Sequence, residues 1–190
     1  YSEGQPLLWW SPDPRCVFRQ GDFHLTRRLK RELRKSLAEV RINTAFSDVV
    51  LACASPRRYD KSTWITSDMM TAYGALHRSG WAHSIEIWDG GTLVGGLYGI
   101  IIGRVLFGES MFSDRTNASK IALLLLDRML ETDTLALVDC QVQSRHLRSL
   151  GASDVPRTQF VASLNELCEP PHAFGNWPEM PIKACQLVRD

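Results

Sequence analysis

The stretch HSIEIWDGGTLVGGLYGIIIGRVLFGESMF, residues 83–112, decides the fold. Its first segment is rich in strand-forming residues and meets a DGG turn at Asp89–Gly91. A glycine-rich second segment then runs to Gly103, and a third follows it. Strand-forming runs separated by such short turns predict an antiparallel meander. Downstream the period changes. NASKIALLLLDRMLE (117–131) reads as a helix capped by Asn117, TLALVDCQV (134–142) as the next strand, and SRHLRSLGA (144–152) as a short helix stopped by Gly151. A final strand is expected after that.

Upstream, SDMMTAYGALHRSG (67–80) predicts a helix with Ser67 as N-cap and Gly80 as its stop. HLTRRLKRELRKSLAEV (24–40) predicts an amphipathic helix capped by Thr26, because Leu25, Leu29, Leu33 and Leu37 recur every four residues. The opening LLWWSPDPRCVF (7–18) holds two prolines and reads as an extended turn segment. CEPPHAFGNWPEMP (168–181) reads as a surface loop. Meander, helix, strand, helix and final strand make an α/β (α+β) order of the acetyltransferase type.

The 190 residues are enough for one sizeable core. No apolar run approaches the roughly 20 residues a membrane span needs, and the start lacks a signal-peptide pattern. Five cysteines without C-x-x-C spacing indicate neither a disulfide framework nor a zinc site, and a reducing cytoplasm fits. The histidines show no ligand or triad spacing, and no cysteine has a histidine placed for covalent catalysis. No metal and no cofactor are expected. The chain total of +1 conceals a basic segment: residues 15–41 carry nine Lys or Arg against three acids. Clustered cations on a mildly acidic remainder suit a polyanion contact. Within the strand at 134–142, Asp139 and Gln141 stand two apart and share a face. That spacing permits a hydrogen-bonded pair, either chemical or structural.

Eight stretches in order carry a resemblance: LLWWSPDPR (7–15), TWIT (63–66), AYGALHRSGWAHSIEIW (72–88), LVGGLYGI (93–100), GESMFS (108–113), NASK (117–120), VDCQ (138–141) and HLRSLGA (146–152). Together they closely resemble the bacterial leucyl/phenylalanyl-tRNA-protein transferases. The resemblance implies a small N-terminal lobe over residues 1–62 and, over 63–190, an acetyltransferase-like (GNAT) domain that transfers leucine or phenylalanine from its tRNA to the N-terminal Arg or Lys of a protein, marking the product for N-end rule degradation. It implies a catalytic pair in which Asp139 bonds and polarises Gln141, whose carbonyl accepts from the incoming α-amine. By the same likeness Glu109 binds the α-ammonium of the donor amino acid, and Leu97, Leu106, Met111 and Leu126 line its apolar pocket. The leucines at 97, 106 and 126 stand where the family also has methionine or phenylalanine, so the balance between Leu and Phe stays open. Trp64 and Tyr73 offer flat faces for the terminal adenosine. Arg27, Arg31, Arg34 and Lys35 form one helical stripe suited to phosphates of the acceptor stem.

Family members carry a further stretch before LWWSPDPR, with a glycine-rich turn and an adenine-stacking aromatic. This sequence starts at Tyr1, so either a trimmed version of a longer protein or a shortened member that has lost part of the tRNA-end pocket is expected, and the intact adjoining motif favours the first. Two other readings compete: an acetyl-CoA-dependent N-acetyltransferase, and a non-catalytic module binding tRNA ends or basic N-termini. GESMFSDRTNASK (108–120) lacks the glycine spacing of a pyrophosphate-binding turn, which weighs against CoA. A monomer without membrane contact is expected, because no long apolar surface stripe is evident.

Overall fold

The computed structural model describes residues 10–55, 63–169 and 174–189. Eight strands are present among them: β1 (Arg15–Phe18), β2 (Glu39–Ile42), β3 (Ala82–Asp89), β4 (Thr92–Ile102), β5 (Val105–Ser113), β6 (Leu137–Gln141), β7 (Ser153–Val155) and β8 (Ile182–Lys183). The helices are α1 (Arg27–Leu33), α2 (Phe46–Ala54), α3 (Ser67–Arg78), α4 (Ala118–Glu131), α5 (Arg145–Ser149) and α6 (Arg157–Leu167). All strands join one sheet in the order β7-β1-β6-β5-β4-β3-β2-β8.

The meander forms as its sequence predicts. Gly90 and Gly91 have φ of 58° and 80°, the left-handed pair that a two-residue hairpin requires. β4 pairs antiparallel with both neighbours, while β5 and β6 are parallel and joined through α4. The mixed α/β order read from the sequence is therefore present. Gly95 lets α4 seat on the sheet, since a Cβ there would lie 2.5 Å from that of Ala118.

Both sheet faces are covered. Leu29 and Leu33 of α1 pack with Ile121, Leu124 and Leu125 of α4 on one cluster. Phe46 and Val49 of α2 pack with Tyr73 of α3 and Tyr98 of β4 on another, and Phe160 of α6 closes a third over Val17 and Leu137. Glu86 is fully buried yet accepts from the Thr44 and Ala45 N–H groups, the Thr44 and Ser84 hydroxyls and the Trp88 indole. That arrangement satisfies the carboxylate and pins the start of α2 to β3.

Several expectations need correction. The helix expected over 24–40 ends at Leu33, and the chain enters the sheet as β2 at Glu39. Pairing of Val40 with Ile87 outweighs helix propensity there, and Leu37 stays 74% exposed. Thr26 caps α1 as expected, its side chain accepting from Leu29 N–H. Thr66, not Ser67, caps α3. Asn117 holds the cap position of α4 in the left-handed region but makes no capping bond; its side chain instead bridges Glu32 and Lys120. β1, β2, α2 and α6 are elements that the sequence reading did not anticipate. The boundary expected at residue 62 lies outside the described residues. β1 and β2, before it, belong to the same sheet as the strands after it.

Candidate active site

The cavity begins where two strands part. β5 pairs with β6 only at Val105–Phe107 against Leu137–Asp139. On its other side Tyr98 faces Ser110 and Gly99 faces Gly108, which leaves Glu109 as the extra residue of a bulge. Such a bulge re-aims its side chain and interrupts the ladder. The resulting cavity of about 330 Å³ has apolar walls from Leu97, Leu106, Met111, Leu123, Leu126 and Leu147, with Glu109, Asp139 and Cys140 adding polar groups and Trp64 a large ring.

Every pocket residue named from the sequence lines this cavity except Tyr73. That ring is 7% exposed, lies edge-on to both Trp64 and Tyr98, and donates its hydroxyl to Glu109 Oε2 at 2.7 Å. Burial makes it an orienter of Glu109 rather than an open stacking face. Burial also pushes the Glu109 carboxyl above its ordinary range, as does the nearby Asp139 charge. The Tyr73 hydrogen bond and the Arg15 guanidinium oppose the shift.

Asp139 is fully buried. Its Oδ1 accepts from Arg15 Nε at 2.9 Å and its Oδ2 from Arg15 Nη2 at 2.6 Å, a bidentate pair. The Arg15 guanidinium also lies 4.8 Å from the Phe160 ring centroid. The expected side-by-side pair with Gln141 takes another form. Gln141 has φ of 63°, so the strand's alternation stops there. Asp139 Oδ1 accepts from the Gln141 backbone N–H at 2.8 Å, while Gln141 Nε2 donates to Gly108 O at 2.8 Å. With its amide nitrogen committed, the Gln141 side chain has Oε1 available as an acceptor.

Arg15 is the residue that sequence reasoning missed. It ends the SPDPR stretch already quoted, but its partner lies 124 residues away. Cys140 touches Cys16, and that contact together with burial pushes its thiol far up, away from nucleophilic use. Burial likewise lowers His83 to about 4. Among the described residues no group of three or more His, Cys, Asp or Glu is placed to hold a metal ion, and no helix is long and apolar enough to cross a membrane.

The basic stripe is shorter than expected. Arg27 and Arg31 are exposed on α1, Arg34 caps its end and donates to Arg189 O, and Lys35 lies beyond the helix. Glu32 ties α1 to the start of α4 by accepting from Asn117 Nδ2 at 3.0 Å. Leu123 and Leu126 of that same α4 line the cavity.

The family model described as leucyl/phenylalanyl-tRNA protein transferase matches residues 17–165. The chain belongs to this family. A leucyl/phenylalanyl-tRNA–protein transferase of Alkalilimnicola ehrlichii is 51% identical over 178 residues, covering 93% of this chain and 69% of its own length. Another, from Hahella chejuensis, is 53% identical over 164 residues, covering 86% and 70%. A solved GCN5-related N-acetyltransferase from Kribbella flavida is similar over 75% of this chain and 55% of its own, at 11% identity and a TM-score of 0.41. As a member of this family, the chain is an aminoacyltransferase enzyme. The acetyl-CoA and binding-module readings give way to that membership.

Proposed function

We propose that the cavity between β5 and β6 holds the leucyl or phenylalanyl group of an aminoacyl-tRNA for transfer to the N-terminal Arg or Lys of a protein. The observation that carries this reading is an apolar cavity with Glu109 on its wall and Gln141 anchored to the wall residue Gly108. The donor side chain enters among Leu97, Leu106, Met111 and Leu126. An apolar wall of this kind sorts side chains by size and shape. Glu109, oriented by Tyr73, takes the donor's α-ammonium, whose charge favours the ionised carboxyl that burial opposes. Trp64 receives the terminal adenosine, and Arg27, Arg31, Arg34 and Lys35 meet phosphates of the acceptor stem.

An aminoacyl ester is already activated, so the enzyme mainly holds amine and carbonyl in contact. The acceptor's α-amine, with an ordinary pKa of about 7.7–8.0, reacts in its neutral form. Gln141 Oε1 accepts one of its N–H bonds and aims the lone pair at the ester carbonyl. The C–N bond forms, the ester C–O bond breaks, and one proton passes from the amine nitrogen to the departing ribose oxygen. Asp139 acts as a positioning residue through the Gln141 backbone. In this reading residues 1–62 carry the phosphate contacts to the acceptor stem and 63–190 the aminoacyl-end pocket and the chemistry, in a cytoplasmic monomer that marks proteins for N-end rule degradation.

The test is transfer of radiolabelled leucine from leucyl-tRNA to a protein beginning with Arg, with a Met-initiated control. Label enters the Arg-initiated protein alone, Gln141→Ala lowers kcat, and Glu109→Gln weakens an aminoacyl-adenosine analogue. Wild-type kcat in Gln141→Ala overturns the site.

A further inference from the structure

We infer that Arg15 is a positioning residue of the transfer reaction, acting on Gln141 through the Asp139 carboxylate. This inference rests on the site reading above. A carboxylate with no exposure must be paired, and Asp139 has two kinds of partner. Arg15 grips both of its oxygens, and Oδ1 carries a second bond from Gln141 N–H. The guanidinium fork is planar and fixes the carboxylate in two directions at once. The Phe160 ring covers Arg15 and leaves the side chain 12% exposed, so the clamp itself is held.

The consequence lies one residue further on. Gln141 adopts a positive φ of 63°, a conformation that a non-glycine residue keeps only when its surroundings enforce it. Its backbone N–H on Asp139, its Nε2 on Gly108 O and its pairing with Cys16 of β1 are the restraints. Arg15 sets the first by holding the carboxylate that receives it. The strand that begins the sheet's N-terminal portion thereby aims an amide 126 positions later in the chain, because β1 pairs directly with β6.

The experiment is steady-state transfer of leucine from leucyl-tRNA to an Arg-initiated protein, with melting curves for each variant. Arg15→Gln lowers kcat about 10²-fold, the scale of an ångström-sized misplacement, and changes KM for either substrate less than about 3-fold. Arg15→Lys keeps the charge but not the fork and recovers only part of the loss. In a Gln141→Ala background, Arg15→Gln costs almost nothing more, since the two act as a unit. Wild-type kcat in a folded Arg15→Gln overturns the inference, as does a full further loss in the Gln141→Ala background. If Arg15→Gln does not fold, Arg15→Lys decides, and wild-type kcat there overturns it. Gln141→Ala at wild-type kcat instead sinks the site reading itself, so the two failures are distinguishable.

Discussion

Asp127 sits in the last turns of α4 with 6% exposure, where burial and the carboxyl end of the helix both disfavour a negative charge. Burial pushes its carboxyl up from 3.8 to about 6; Arg128 opposes the shift and Glu131 adds to it. The folded state therefore binds the proton more tightly than the unfolded chain. Its contribution to stability is fully present below about pH 4 and is lost as pH rises through 6. Asp127→Asn, neutral at every pH, is expected to melt close to wild type at pH 4 and above it at pH 7.5. Equal melting-point differences at the two pH values would contradict that. The cavity carboxyl Glu109 is shifted in the same direction, burial again being the largest cause.

Helix α1 shows what an element-level pattern conveys and where it stops. Leucines at four-residue spacing predicted an amphipathic helix, and Leu29 and Leu33 do face the core. Leu37 continued the pattern without continuing the helix, because the backbone from Glu39 has strand partners on both β3 and β8. Two edges' worth of ladder bonds outweigh a few tenths of a kcal/mol of propensity per residue. Arg27 and Arg31 remain on the exposed side, and Glu32 anchors the helix to α4. Removing one cation is expected to weaken all tRNA sequences equally, since phosphate contacts position RNA without reading bases. For Arg31→Ala the slope of log K against log salt becomes shallower by about 0.9 if the contact is to duplex. Filter binding of several tRNAs across a salt series measures both, and a sequence-selective loss would contradict the assignment.

At the scale of the whole molecule, the cavity exists because one sheet changes strand direction. Antiparallel pairing continues from β2 through β5, then α4 carries the chain over to a parallel β6. The parallel pair holds for three residues and then parts, with apolar walls from β4, β5, β6 and α4 around the gap. Pocket volume is therefore set by several elements, and a single larger side chain reduces it. Leu97→Phe is expected to lower kcat/KM for phenylalanyl-tRNA relative to leucyl-tRNA by about 10-fold or more, since a methylene's worth of apolar space discriminates about 10–200-fold. Competition between the two charged tRNAs in one reaction reads the ratio directly. An unchanged ratio would place the donor side chain elsewhere.

The meander, its glycine turn, the capped helices and the apolar or acidic character of each site residue were written locally, in periodicity and in residues that favour one backbone conformation. For that reason the sequence by itself determined the mixed α/β class, while Leu97, Leu106, Met111 and Leu126 of the cavity wall were named through the family resemblance. It could not determine the bond between Arg15 and Asp139, which depends on β1 pairing with β6 across 124 positions. Nor could it determine that Gln141 leaves the strand geometry that two-residue spacing assumes, or that Tyr73 is buried with its hydroxyl on Glu109. Those were decided by the tertiary structure, because strand order and burial bring together groups whose separation in the chain contains no signal of their contact.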